Sequence, residues 1–294
     1  MKKFLRSTYI YPALLILAFA VSSCGGGGGG SAATTDTTAT TSKGKFVDAA
    51  VEGITYTSGS ITGVTTADGS FSYETGQTVT FSIGGITLGT IGGSAIITPV
   101  QLIAGAVNQL NPFVTNIVQF LISIDDDNDV TNGIKITPAM SAAATGLSID
   151  FTSATFDTDG SVANAVSAIK AVASIGSIGL VNDAVAQAHL RDSLFSIIAG
   201  TYSGTYTGVI DNGTWTVTID ASGTLIPPST STSAVDSSVL TVTGSVSTSG
   251  TVAASAAGGA GSSSWVGTLN ITTGGFSGTW TDTGDNGTFT GNKI

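Results

Sequence analysis

The sequence predicts a mainly β protein with an α-helical insert. This is an α+β chain built from a small N-terminal β-sandwich, central helices and a C-terminal antiparallel β-meander or small barrel. Three observations carry that expectation. Charged residues are only 10% of the chain, while glycine occurs 40 times and hydrophobic residues make up 41%, as expected for many short strands joined by tight turns. Apolar residues alternate with Thr and Ser over residues 44–99 and again over 200–294. Between those stretches, over 100–199, apolar residues recur at helical spacing behind proline-containing start signals.

In the sandwich segment, Phe46-Val47 opens a strand and Gly53-Ile54-Thr55-Tyr56 continues the pattern. The run from Thr65 to Tyr73 reads as a hairpin turning at Asp68-Gly69, with Phe71 and Tyr73 alternating with Ser70 and Ser72. Val79, Phe81 and Ile83 alternate with Thr and Ser, and Ile86 and Leu88 follow a Gly84-Gly85 turn. The segment resembles the prealbumin-like sandwiches related to the carboxypeptidase regulatory domain. Their hallmark is a strand, a glycine near V-x-G, then T-T-x-x-G-x-F-x-Y, which Thr65 to Tyr73 follows here over a match of about fifty residues. The resemblance implies a spacer or binding scaffold, since a fold of this kind does not specify a function.

In the central segment, Asn111-Pro112 supplies a cap residue followed by proline at the first helical position. Phe113, Ile117, Phe120, Leu121 and Ile124 then share one face. Thr137-Pro138 repeats the signal ahead of Ala139 to Thr145. A further helix is expected from Ser161, with Val162, Val166, Ile169 and Val172-Ala173 on one side, and a last one from about Asp183 to Ile198, carrying Val185, Leu190, Leu194 and Ile198. From about Lys45 to Phe195 the chain resembles a segment that recurs in bacterial lipoproteins of unassigned function.

In the C-terminal segment, Gly200 to Gly208 alternates cleanly. Asp211-Asn212-Gly213-Thr214-Trp215-Thr216 returns in variant form as Asp285-Asn286-Gly287-Thr288-Phe289-Thr290, with Gly278-Thr279-Trp280-Thr281 between them. Asn-Gly is a strong turn signal. Six to eight strands are expected, curled or closed to hide their edges, with Ser/Ala/Gly-rich loops at 227–238 and 253–264. Trp215, Trp265, Trp280, Tyr202 and Tyr206 fit the barrel interior better than an exposed sugar-stacking surface, because each sits in an alternating pattern that must bury one face.

Residues 1–23 have the order of a secretory signal: Lys2, Lys3 and Arg6, then an apolar stretch from Tyr9 to Val21, then small residues. The stretch is shorter than the roughly 20 residues of a membrane span. Val21-Ser22-Ser23-Cys24 resembles the lipobox of bacterial lipoproteins, which implies fatty acylation of Cys24, palmitate included, and attachment to a membrane by that anchor. Gly25 after the cysteine, in place of a retention-like aspartate, points by analogy to the outer membrane or cell surface. Residues 24–43 then form the lipidated cysteine and a flexible Gly/Ser/Thr tether, reaching about 60–65 Å at roughly 3.3 Å per residue.

Removal of the signal leaves six basic residues against nineteen acidic ones, a net charge near −13. Such a surface disfavours nucleic acid and favours cations. With the only cysteine acylated, no disulfide is available.

The densest acidic cluster is Asp125, Asp126, Asp127 and Asp129, placed directly after a helix C-terminus where negative charge is unfavourable. A hard cation such as Ca²⁺ held by Asp125, Asp127 and Asp129 would relieve that repulsion. Val130 and Ile136 stand where a calcium-binding EF-hand needs glycine and glutamate, so only a looser Asp-rich site fits. A solvated acidic turn is the plainer alternative. Asp157 and Asp159 read as helix N-terminal charges, and His189, the only histidine, as a surface or boundary residue. The chain has no His-Glu-x-x-His, Gly-x-Ser-x-Gly or phosphate-cradling loop, so no catalytic residue is assigned. The expectation is a non-catalytic, lipid-anchored outer-membrane or surface protein of binding or adhesion type, with a glycan or envelope protein as partner. The alternatives are a structural accessory subunit, a secreted-type hydrolase and a membrane-spanning barrel.

Overall fold

A computed structural model describes residues 40–294. The signal, Cys24 and the tether up to residue 39 lie outside the described residues. The first strand, β1 (Thr41–Phe46), begins three residues inside the expected tether. Thr41 to Lys43 carry no apolar side chain, but backbone pairing with Ser72 to Glu74 requires none.

The N-terminal module continues through β2 (Val51–Glu52), β3 (Thr55–Ser58), β4 (Ile61–Val64), β5 (Ser70–Glu74), β6 (Thr78–Ile83), β7 (Ile86–Gly92) and β8 (Ile96–Ile97). One sheet has the order β4-β3-β6-β7 and the other β5-β1-β8. They face each other through aromatic contacts: Phe81 of the first lies 4.9 Å from Phe46 and 5.1 Å from Phe71 of the second, ring centre to ring centre. Edge-on arrangements of this kind add to the burial of large apolar side chains.

The hairpin expected at Asp68-Gly69 needs correction. A tight turn is present there, closed by Gly69 N–H to Thr66 O at 2.7 Å. However, β4 before it pairs with β3, and β5 after it pairs with β1, so the turn carries the chain from one sheet to the other. A turn signal fixes local geometry, and the partner of each strand is set by where its apolar face is buried.

The central helices begin where their caps predict. A short helix missed in the sequence, α1 (Pro99–Leu102), is capped by Thr98. In α2 (Pro112–Ser123), Asn111 Oδ1 accepts from Phe113 N at 3.0 Å. A short α3 (Pro138–Ala143) follows Thr137. In α4 (Gly160–Lys170), Asp159 caps the end by accepting from Ser161 N. Asn182 caps α5 (Asp183–Ile198). Every residue of α2 from Val114 to Ser123 is buried, so this helix is the axis of the module. Two expected core positions face outward: Val172 lies beyond the end of α4, and Val185 sits on the open side of the first turn of α5. One hydrophobic core runs through the sandwich and helices, and β9 (Ile134–Lys135) pairs in parallel with β2 to join them.

The C-terminal segment is a closed antiparallel barrel of eight strands, each paired with the next: β10 (Gly200–Gly208), β11 (Asn212–Ile219), β12 (Leu225–Ser233), β13 (Val239–Val246), β14 (Thr251–Gly258), β15 (Gly261–Leu269), β16 (Gly275–Thr281) and β17 (Asn286–Lys293). Pairing of β10 with β17 closes the ring and leaves no open sheet edge. Inward positions alternate between an aromatic ring and glycine. Gly204 is opposite Trp215, Gly278 is opposite Phe289, and Gly291 is opposite Phe276. A Cβ at Gly278 would lie 2.6 Å from the Phe289 ring, so these glycines are the space the rings occupy.

The Ser/Ala/Gly-rich stretches expected as loops lie mostly in strands β12, β14 and β15, with 234–238 alone forming a sizeable loop. Ser229, Ser231 and Ser233 on β12, and Val252 and Ala256 on β14, point inward and are buried. Inward from β12 and β14 come only small or aliphatic side chains, whereas β15 adds Trp265. The period-two pattern is present, but small residues give it little hydrophobic amplitude.

One end of the barrel is plugged by α5. Ile198 belongs to the barrel core, the Tyr202 hydroxyl donates to Ile198 O at 2.7 Å, and Lys293 Nζ donates to Ile197 O at 2.8 Å. The hairpins at the other end are free of the helical module.

Candidate functional site

The acid-rich loop folds directly off the C-terminus of α2. Asp125 is buried and accepts from Lys135 N at 2.8 Å, while its other carboxylate oxygen is enclosed without a partner. Asp126 is bound at both oxygens by Ser174, from its N–H at 2.7 Å and its hydroxyl at 2.8 Å. Asp127 accepts from Asn132 Nδ2 at 3.0 Å and from Asp129 N–H at 3.0 Å. Asp129 turns to Thr131 and receives its hydroxyl and N–H. Lys170, 2% exposed at the end of α4, reaches into the loop and donates to Asp125 O and to Asn128 Oδ1.

Burial pushes the Asp125 carboxyl up, with the Lys135 N–H opposing and Asp127 reinforcing the rise. Asp127 is held down, first by the Asn132 amide. The Lys170 ammonium is lowered by burial, against the attraction of Asp125, Asp126 and Asp127. Of the three residues singled out in sequence, Asp125 and Asp127 are brought side by side and Asp129 is directed elsewhere. Among the described residues no group of three or more His, Cys, Asp or Glu is arranged to hold a metal ion.

A second concentration of acids was not legible as a cluster in the sequence. The four hairpin tips at the unplugged end of the barrel converge on a cavity of about 230 Å³. Its floor is Tyr206, Trp265 and Trp280. The indoles are stacked 6.2 Å apart at 25°, and the Tyr206 ring meets them edge-on at 5.4 and 5.3 Å. This is the one place where two tryptophans, instead of a ring and a glycine, face each other in register. Asp211, Asp236 and Asp282 stand on three of the hairpins, and no Lys, Arg or His is among the lining residues.

Asp211 is held in position by the Tyr206 hydroxyl at 2.8 Å and the Ser233 hydroxyl at 2.7 Å. Burial raises the Tyr206 phenol well above its ordinary value, and its hydrogen bond to Asp211 adds to the rise. Asp236 is lowered, first by the Ser238 N–H. The two Asp-Asn-Gly repeats meet at this end. Asp285 accepts from the N–H groups of Val209, Ile210 and Asp211 at 2.8–2.9 Å and so ties the last hairpin to the first. Burial pushes Asp285 up, but those N–H groups and that of Asn286 outweigh it and hold the carboxyl below its ordinary range. The repeat was visible in sequence as a turn signal, and its second role as the seam of the mouth emerges only on closure.

Asp48 was also missed. It is fully buried, with neither carboxylate oxygen hydrogen-bonded, and His189 Nε2 lies 3.4 Å from one of them. Burial raises its pKa to about 7, with His189 opposing. His189, 12% exposed on α5, takes the boundary position expected, and the feature the sequence did not mark is its buried partner Asp48. Ser193 accepts from Ala49 N at 2.8 Å and donates to His189 O at 3.1 Å, so its hydroxyl is turned to the backbone and does not meet the imidazole. Asp48, His189 and Ser193 thus do not form a nucleophile–base–acid relay.

No family model matches this chain, and no curated protein matches it.

Proposed function

We propose that this protein is a non-catalytic binding module of a bacterial outer membrane or cell surface, anchored through acylated Cys24 and engaging its ligand at the open end of the barrel. The observation that carries this reading is the asymmetry of the barrel. One end is sealed by α5, the interior is filled to a residual space of about 20 Å³, and the other end opens into a cavity of about 230 Å³ with an aromatic floor. Pockets that combine apolar floors with a few fixed polar groups are the usual form of ligand sites. A structural accessory subunit would need a flat apolar face in place of this cavity. The outward barrel positions support a water-facing barrel: Thr205, Thr207, Thr241, Thr243, Thr279, Thr288 and Thr290 are exposed, whereas a lipid-facing barrel carries its apolar band outside.

Two measurements test the reading. Mass spectrometry of the protein isolated from native membranes is expected to find Cys24 as an acylated N-terminus, and an intact Met1 with free Cys24 would remove the anchor. Tryptophan fluorescence of the purified lipoprotein is expected to respond to members of a panel of sugars, amines and envelope peptides. A flat response to the whole panel would remove the binding role.

A second reading, Ca²⁺ stiffening of the acidic loop, is favoured by the enclosed unpartnered oxygen of Asp125 beside Asp127. Calorimetric heat on adding millimolar Ca²⁺, abolished in Asp127→Asn, is the expected result, and its absence would leave Lys170 as the only cation of the loop.

A further inference from the structure

We propose that the open end of the barrel binds an organic ammonium cation, held over the rings of Tyr206, Trp265 and Trp280 and between the carboxylates of Asp211, Asp236 and Asp282. The proposal rests on the binding-module reading and names the chemistry of its ligand.

The first argument is electrostatic. Three carboxylates line one small cavity, and no basic side chain stands among the lining residues. The crowded charge of the acidic loop is answered internally by the nearby Lys170 ammonium, and that of Asp68 by Lys45, 2.8 Å away. At the mouth it is left for a ligand, and partial enclosure raises the attraction for a positive charge above its value in open water.

The floor selects the kind of cation. Aromatic faces attract a poorly hydrated ammonium through their quadrupole, most strongly when the group is alkylated and the site is desolvated. A hard metal ion needs six or more oxygens and gains nothing from indoles. The space of about 230 Å³ suits a small amine and is too small for an oligosaccharide chain. Ser231, 3% exposed, lines the same cavity and gives a polar group on the ligand a hydroxyl to meet. Ile210 and Val235 also line the cavity and are mostly exposed, which gives the alkyl part of an amine an apolar rim to lie against.

The test is titration of the purified full-length lipoprotein in detergent, followed by tryptophan fluorescence and calorimetry. The probes are choline, putrescine, the uncharged choline isostere 3,3-dimethyl-1-butanol, and N-acetylglucosamine. Choline or putrescine is expected to bind, with the isostere about tenfold or more weaker than choline. The double variant Asp236→Asn/Asp282→Asn is expected to lose about tenfold in amine affinity while melting as the parent does. Equal binding of choline and its isostere, or binding of the sugar alone, would overturn the cation proposal and leave the binding-module reading standing. No binding of any probe would overturn the cation proposal, and the wider fluorescence panel then decides the module reading separately. Amine binding unchanged in the double variant would overturn the placement at the mouth. Because both substituted side chains are exposed, a folding defect does not obscure the result.

Discussion

The two acidic regions of this molecule handle crowded negative charge in opposite ways. At residues 125–129 four carboxylates fall within five positions, and apart from one enclosed Asp125 oxygen the fold answers them from within, through hydrogen bonds from Ser174, Asn132, Thr131 and the Lys135 N–H, with the Lys170 ammonium close by on Asp125 O and Asn128 Oδ1. At the barrel mouth three carboxylates come from hairpins some 25 to 70 residues apart in sequence and meet around a cavity with no internal counter-charge. If the mouth binds as proposed, acids that converge from separate elements without a counter-charge mark a site that the density of acids along the chain does not.

That contrast can be broken or sharpened at several positions. The largest effect is expected at Asp48, a fully buried acid outside both regions, whose carboxylate oxygens accept no hydrogen bond. Its folded pKa of about 7 lies above its ordinary 3.8, so the folded state binds the proton more tightly than the unfolded chain. Stability is therefore greatest below the unfolded value, falls as pH rises through the window between the two, and levels off above it. The cost of deprotonation is on the order of 4 kcal/mol. Chemical denaturation between pH 4 and 8 checks this. Asp48→Asn is expected to flatten the profile and stabilise the protein at pH 8, and an unchanged slope would show that another group controls it.

Next comes Lys170→Met. Removing the ammonium leaves Asp125 O and Asn128 Oδ1 without their donor beside buried carboxylates, at a cost of about 3 kcal/mol, read as a lower denaturation midpoint. A null result would mean that the acidic loop is satisfied without its lysine and resembles the mouth after all. Gly278→Val follows, at about 3 kcal/mol, the upper end for overpacking, because its Cβ would overlap Val266 O and lie 2.6 Å from both Gly267 Cα and the Phe289 ring, so backbone as well as a ring must shift. The smallest effect is expected where function is proposed. Asp236→Asn and Asp282→Asn should each change stability by less than about 0.5 kcal/mol, since exposed side chains away from packing rarely do more. A large loss there would mean that the mouth acids are structural.

Much of the fold was legible in the sequence because its signals are local. Asn111-Pro112 and Thr137-Pro138 start their helices, α5 spans Asp183–Ile198 as expected, and the alternating Thr and aromatic positions after Gly200 lie in a barrel. What was illegible is non-local. Residues 227–238 and 253–264 were expected to be loops because inward serine and alanine mimic loop composition, and their use becomes clear only against the rings they face. The turn at Asp68-Gly69 was read correctly as a turn, but strand partners depend on sheet packing. Asp48 and His189 are 141 positions apart, and neither has a sequence neighbourhood that marks it. Of the candidate acids, Asp125 and Asp127 do approach each other, whereas the mouth was hidden because its members are scattered over four hairpins.

The parallel indoles of Trp265 and Trp280 have a spectroscopic consequence. Two such chromophores held at a fixed distance and angle couple their excited states, and the coupling is lost when either rotates. The far-ultraviolet circular dichroism of this protein, where the strong indole transition lies, should therefore carry a split band to which that pair contributes, so that events at the tip of the barrel can be followed optically without an attached dye.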